Sequence, residues 1–234
     1  MNNIKVTLLH HTPLYIASDG ARTCWSSQDK SDTIRTRPSL DDSPRFLEPA
    51  HIRIGPKDLA LIDRVGNQFH HSSILEHISM NFFIDGISRA CLQELARHRL
   101  ASFSVKSSRY TLKELKDGYR FDIEEYDNLS IAEASKYILL TGEMYVDMCS
   151  YEALCKLQTG IKQGISNDKV KYCMPESYRT QLTWTINLRS LQNFLSLRTD
   201  RTALPEIQHL ARLIYAALPT DIQSLVSHCV KDTQ

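Results

Sequence analysis

The chain of 234 residues carries 28 Lys+Arg against 27 Asp+Glu, a formal net charge of +1, so no global field draws it toward nucleic acid or a membrane surface, and any anion must be bound locally. Hydrophobic residues at 42% and charged residues at 24% match an ordinary globular domain and exclude whole-chain disorder and coiled coil. No stretch approaches the roughly 18 consecutive apolar residues of a membrane helix, and the opening MNNIKVTLLHHTP lacks a basic segment and cleavage pattern, so the expectation is cytoplasmic.

The apolar run Ile4 to Leu9 predicts a strand. Ser26 to Pro56 is the loosest segment, holding four of the eight prolines (Pro38, Pro44, Pro49, Pro56) and the acidic pair Asp41-Asp42, and reads as loop with brief helical turns. Ile78, Met80, Phe82 and Ile84 alternate with polar residues, the period of a half-buried strand ending at Asp85-Gly86. Ile87, Ala90, Cys91 and Leu95 then describe a helix running to about Arg99. A loop or short strand follows, then a helical stretch at Leu112 to Lys116. Ser130 with Glu133 reads as a capping box opening a long helical pattern to Gly160, interrupted near Gly142. Asp168 to Cys173 is a second helix, Thr183 to Ile186 a short β piece, and Leu188, Leu191, Leu195 the apolar stripe of another helix. A final helix covers Pro205 to Ala217. With no repeat or linker, the economical reading is one α+β domain over 1–234, a short mixed or antiparallel sheet packed with several helices.

Three polar clusters carry chemistry. Arg97-His98-Arg99 is followed, after seven residues, by Ser107-x-Arg109; planar guanidiniums match phosphate bidentately. A helix continuous through 97–99 splays these groups over about 200°, a geometry that suits two ligands or mere dipole complementation at a helix end. Arg189 and Asn193, four apart, share one helix face, and Arg198 sits at the edge of an apolar face, either snorkelling to water or held in a pocket. His70, His71 and His77 with Glu76 invite a metal, but H-E-x-x-H is absent. The six cysteines (Cys24, Cys91, Cys149, Cys155, Cys173, Cys229) lack any C-x-x-C pair and read mostly as buried thiols; Cys24 alone has a polar setting, with no His/Asp set to activate it. A nucleic-acid-binding module using strip 97–109 with Phe103 and Tyr110, and a metal-dependent hydrolase built on His70, His71 and His77, are the rival readings.

The pattern R-H-R-x7-S-x-R fixes five residues over thirteen positions and resembles the signature of the flavin-dependent thymidylate synthases. Glu76-His77 upstream, Ala21-Arg22 near the start and the block Trp184 to Arg198 extend the likeness over roughly His71 to Gln208. The resemblance implies a family-specific α+β fold and a homotetramer with active sites at subunit interfaces. It implies reductive methylation of dUMP to dTMP, with 5,10-methylenetetrahydrofolate as one-carbon donor and FAD reduced by NADPH. No metal, nucleic acid or membrane is implied, and no cysteine nucleophile. Carried over by position, His71, Ser73, Arg97, His98, Arg99, Asn187, Arg189 and Asn193 resemble FAD contacts. Glu94, Leu95, Ala96 and Arg97, with Val105, Lys106, Ser107, Ser108 and Arg109, resemble a dUMP strip completed by Lys171 and Arg198. Arg198 is the implied catalytic cation, facing the uracil ring. The chain departs from the family pattern at Glu94 (often Gln), Lys171 (Arg) and Val105 (acidic). Glu94 beside a phosphate is unfavourable, so it is expected to orient an arginine instead, and Lys171 keeps the charge without the fork.

Overall fold

The computed structural model describes residues 4–35 and 52–231; Pro38, Pro44, Pro49 and Asp41-Asp42 lie outside them. In chain order the elements are β1 (Lys5–His11), α1 (Tyr15–Cys24), β2 (Ile34–Arg35), β3 (Ile52–Arg53), α2 (Pro56–Asp63), β4 (Ser79–Ser88), α3 (Arg89–Ala96), β5 (Ala101–Val105), α4 (Ser108–Thr111), α5 (Asn128–Ala134), α6 (Met144–Lys162), α7 (Asn167–Val170), β6 (Arg179–Asn187), α8 (Leu188–Arg198), α9 (Pro205–Ala216) and α10 (Thr220–Val226). An antiparallel sheet of order β1-β4-β6-β5 carries the molecule, and β2 pairs with β3 across the loose segment.

Alternation decides which sheet face is buried. Met80, Phe82 and Ile84 of β4 and Leu182, Trp184 and Ile186 of β6 are sealed under α3, α8, α9 and α10. Trp184 is the hub, its ring 6.0 Å from Phe82, 6.4 Å from Phe103 and 5.1 Å from Phe194. A second apolar cluster, including Leu112, Leu115, Phe121, Tyr151, Leu154 and Leu157, sits within a helical lobe inserted between β5 and β6. Gln158 ties that lobe together, accepting from the Phe121 N–H at 2.9 Å and donating to the Leu115 and Tyr119 carbonyls at 2.9 and 2.7 Å.

Several expected boundaries move. The strand does not end at Asp85-Gly86: Gly86 at φ +85° absorbs a bulge, and pairing resumes at Ile87↔Thr180. The helix after it opens at Arg89 because Ser88 accepts from the Cys91 N–H at 3.0 Å, and it closes at Ala96, leaving Arg97 as its C-cap and His98 and Arg99 beyond it. The capping box is formed by Asp127 and Ser130, which exchange bonds of 2.8 and 2.9 Å, so Ser130 is the third residue of the helix and not its cap. The pattern to Gly160 is two helices, broken between Ala134 and Met144 where Asp147 accepts from the Thr141 and Gly142 N–H groups. The β piece at Thr183 is a nine-residue strand, and α10 follows the helix expected to be last. Helices α1 and α2 have no counterpart in the sequence reading.

Candidate functional site

Helices α3 and α8 each start where a strand stops, and each strand's last residue supplies the cap: Ser88 for α3 and Asn187, accepting from the Ser190 N–H at 2.8 Å, for α8. β6 is antiparallel to β4, so α3 runs back along the sheet and delivers Arg97 to Arg99 to the end where α8 begins. A cleft of ≈ 1060 Å³ opens there, lined by Arg97, His98, Arg99, Leu100, Arg189, Asn193 and Arg198 among others.

Within it Arg198 is the most constrained cation, its side chain only 14% exposed. Nη1 donates to Glu94 Oε2 at 2.7 Å, Nη2 to the Glu94 carbonyl at 3.1 Å, and Nε to His98 Nε2 at 3.0 Å. His98 is buried edge-on against Phe194, 5.0 Å between centroids. Burial, then the neighbouring charges of Arg198 and Arg97, push its pKa down to about 4. The ring is therefore neutral near pH 7, and since Nε2 accepts, Nδ1 carries the proton. Arg97, 72% exposed, is 3.6 Å from Glu94, and Arg189 pairs with Glu76 at 2.5 Å. Among the described residues Arg99 has no ion-pair partner, and Asn193 is exposed on the outer face of α8.

The remaining sequence-derived residues lie elsewhere. His71 and Ser73 line a cavity of ≈ 560 Å³ with Arg22, Cys24 and Trp25, whereas His70 lines a neighbouring one of ≈ 390 Å³ with His228, so these two histidines of the metal reading open into different cavities. Leu95 is wholly in the core, leaving only its backbone for a ligand, while Ala96 and Val105 are exposed. β5, at roughly 3.3 Å per residue, sets about 15 Å between the two halves of the basic strip, so 97–109 is not one continuous face. At the far end Arg109 grips Asp168 through Nε and Nη2 at 2.7 and 3.2 Å, and Lys171 lies near by, over the Tyr172 ring. Ser107 precedes α4, which opens at Ser108. Lys106 faces a separate cleft and binds Glu114 at 2.7 Å.

A profile of the family described as "Thymidylate synthase complementing protein" matches residues 7–220. Flavin-dependent thymidylate synthase of Campylobacter jejuni (strain RM1221) is 48% identical over 227 residues, 97% of this chain and 98% of that protein. The Helicobacter pylori (strain ATCC 700392 / 26695) protein of the same name is 45% identical over 97% of this chain and all of that one. A crystal structure of Thymidylate Synthase X from Helicobacter pylori with FAD and dUMP superposes with a TM-score of 0.84 at 43% identity, covering 98% of this chain and 100% of that one. The chain belongs to the flavin-dependent thymidylate synthase family.

Sequence reasoning missed what buttresses this family's site here. Asp58 is wholly buried and takes the Arg22 guanidinium, with Ser31 and Thr33 hydroxyls donating to its other oxygen at 2.5 Å each. Burial pushes the Asp58 carboxyl up, but the two hydroxyls and Arg22 outweigh it, and the net shift is down. Glu206 is also buried, accepting from Ser88 N at 2.7 Å and Ser88 Oγ at 2.5 Å, which joins α9 to the start of α3. A lone Asp in PKDLALID and a lone Glu after Pro205 carry no local signal of such partners.

Proposed function

We propose that the chain catalyses reductive methylation of dUMP to dTMP, taking the one-carbon unit from 5,10-methylenetetrahydrofolate and releasing tetrahydrofolate. The observation that carries this reading is the Arg198–Glu94–His98 contact at the floor of the guanidinium cleft. The donor set fits FAD: Arg97, Arg99 and Arg189 with the Asn193 amide suit a diphosphate, and Leu100 and Leu197 offer apolar surface to a ring system. FAD, once reduced by NADPH, supplies the hydride. His98, His71, Ser73 and Asn187 complete its contacts in this reading; Asn187 spends its oxygen on the helix cap and keeps its amide N–H groups for the ligand.

Arg198 holds its charge toward the pyrimidine, where negative charge develops as electron density moves toward C5. Glu94 fixes the fork and keeps it from rotating. Neutral His98 accepts from Nε, adding no second positive charge that would repel the guanidinium. Ser107, Ser108, Arg109 and Lys171, with backbone of Glu94 to Ala96 and Val105 to Lys106, hold the nucleotide and its phosphate; Arg109 is pre-oriented by Asp168.

We also propose a homotetramer. The Arg198 cleft and the Arg109 end lie at opposite ends of β5, about 15 Å apart along the strand, a separation that favours a dUMP site drawn from two copies. Large apolar side chains left exposed on one copy support this: Leu100 is 77%, Tyr110 70%, Tyr145 81% and Tyr172 84% exposed. The helical lobe leaves and re-enters a single sheet, which favours one domain over 1–234, and the free cysteines fit the reducing cytoplasm. The test is direct. Purified protein should be yellow or take up FAD, bleach with NADPH, recover in air, and form dTMP from dUMP and the folate. A colourless protein that takes up no FAD overturns the reading.

A further inference from the structure

The chain between α2 and β4 is irregular. α2 passes into a π-helical turn, Arg64–Gln68, in which Gly66 is buried so closely that an added Cβ would come within 2.8 Å of Leu75 Cδ2. His70 then adopts φ +57°, a left-handed conformation costly for any residue with a Cβ, and the His71 N–H bonds back to the Val65 carbonyl at 3.0 Å. Such turns persist only where their surroundings hold them. This one ends in His71 and Ser73.

Beside the Arg189–Glu76 ion pair farther along the segment, a pair of amides holds the turn itself. Asn67 Nδ2 donates to Asp63 Oδ1 at 2.8 Å and to the Leu225 carbonyl at 2.9 Å. Gln192 Nε2 donates to Asn67 Oδ1 at 2.8 Å and to the same carbonyl at 3.1 Å. The Asp63 carboxylate and the Leu225 carbonyl only accept, so Asn67 must turn its NH2 to them and its oxygen to Gln192. Gln192 stands on α8 between Arg189 and Asn193, and it lines both the guanidinium cleft and the small cavity beside the turn.

We propose that Asn67 and Gln192 are positioning residues: their amide lock fastens the His71–Ser73 turn to α8, so that the two halves of the flavin surface stand in register before the cofactor arrives. The inference rests on the reading that both halves contact FAD. The lock acts through His71, Ser73, Arg189 and Asn193, and its benefit is preorganisation, which lowers the ordering cost of binding.

Near-isosteric variants test it. Asn67→Asp sets an oxygen against the Asp63 carboxylate and the Leu225 carbonyl; Gln192→Met keeps length and removes the donor. FAD titrated into apoprotein, followed by flavin fluorescence and visible circular dichroism, is expected to show a Kd raised about tenfold in either variant, with an altered flavin dichroism band. At saturating FAD, kcat should fall less than about threefold, because ordering and not chemistry is lost. The double variant should bind no worse than the weaker single one, since both cut the same chain of contacts. Wild-type FAD affinity in a folded variant, or losses that add in the double variant, overturns the proposal. Should Asn67→Asp not fold, Gln192→Met decides alone, being half-buried and off the apolar stripe of α8. Wild-type protein that takes up no FAD overturns the functional reading itself, an outcome distinct from a wild type that binds and variants that bind equally well.

Discussion

Arg198 is held on three sides by one charged acceptor and two neutral ones: a carboxylate, a carbonyl and a neutral ring. Arg198→Ala is expected to retain FAD yet lose about 10²-fold or more in kcat, the scale of removing one group that stabilises transition-state charge; normal turnover would take Arg198 out of the chemistry. Cys24→Ala should turn over at close to the wild-type rate, since Cys24 is exposed beside Trp25 and, although His71 lines the same cavity, no hydrogen bond joins the thiol to a base among the described residues. His98 gives a pH signature. Its folded pKa, about 4, lies below the value near 6.5 it has when unfolded. The unfolded chain therefore binds the extra proton, so the stabilisation is complete above pH 6.5 and declines as pH falls toward 4. The check is an NMR titration in which the His98 ring does not protonate above pH 5, with a smaller acid loss of stability in His98→Asn.

Helices α1 and α2 depend on the buried Arg22–Asp58 pair, through which Ser31 and Thr33 also fasten the start of the loose segment, while Asp32 accepts from the Lys57 and Asp58 N–H groups at 2.8 and 3.0 Å. Asp58→Ala strands a buried guanidinium and should cost about 3–5 kcal/mol in denaturant unfolding. Arg22→Met with Asp58→Leu should cost less than Asp58→Ala alone, because no charge is left unpaired. The sequence showed β4, α3 and α8 through their periodicity, α9 through Pro205 at its first turn, and Ala21-Arg22 as a likeness. It did not show α1 or α2, whose cohesion comes from a pair 36 residues apart in sequence. It also ran α3 on to Arg99, because the helical period of Ile87, Cys91 and Leu95 says nothing about where the chain leaves the sheet for β5.

At the scale of the molecule, the separation of Arg198 from Arg109 by β5 gives a prediction about assembly. Arg198→Ala and Arg109→Ala should each be inactive alone. Mixed after dissociation and reassociation, they should regain turnover, because some sites then draw Arg198 from one copy and Arg109 from another. No regain in confirmed mixed oligomers would place both residues of a working site on one chain. If the proposed assembly covers the exposed start of α6, Tyr145→Arg should weaken the oligomer in light scattering without loss of helix, because it sets a charge into an apolar contact.

The sequence by itself determined the reaction class and supplied the residues proposed for the site. The spacing of Arg97-His98-Arg99 and Ser107-x-Arg109 is a local property, and local spacing survives in a string of letters. The +1 balance likewise required that any anion-binding charge be concentrated, as the guanidiniums of Arg97, Arg99, Arg189 and Arg198 are in the cleft beside α8. Tertiary structure decided which members of that inventory meet. It brought Glu94 and His98 to Arg198 across about a hundred residues of chain, and it put β5 between the two basic halves. It also set a neutral imidazole beside the central guanidinium. Those outcomes depend on strand register, on burial and on buried partners such as Asp58 and Glu206, which arise only when distant segments pack.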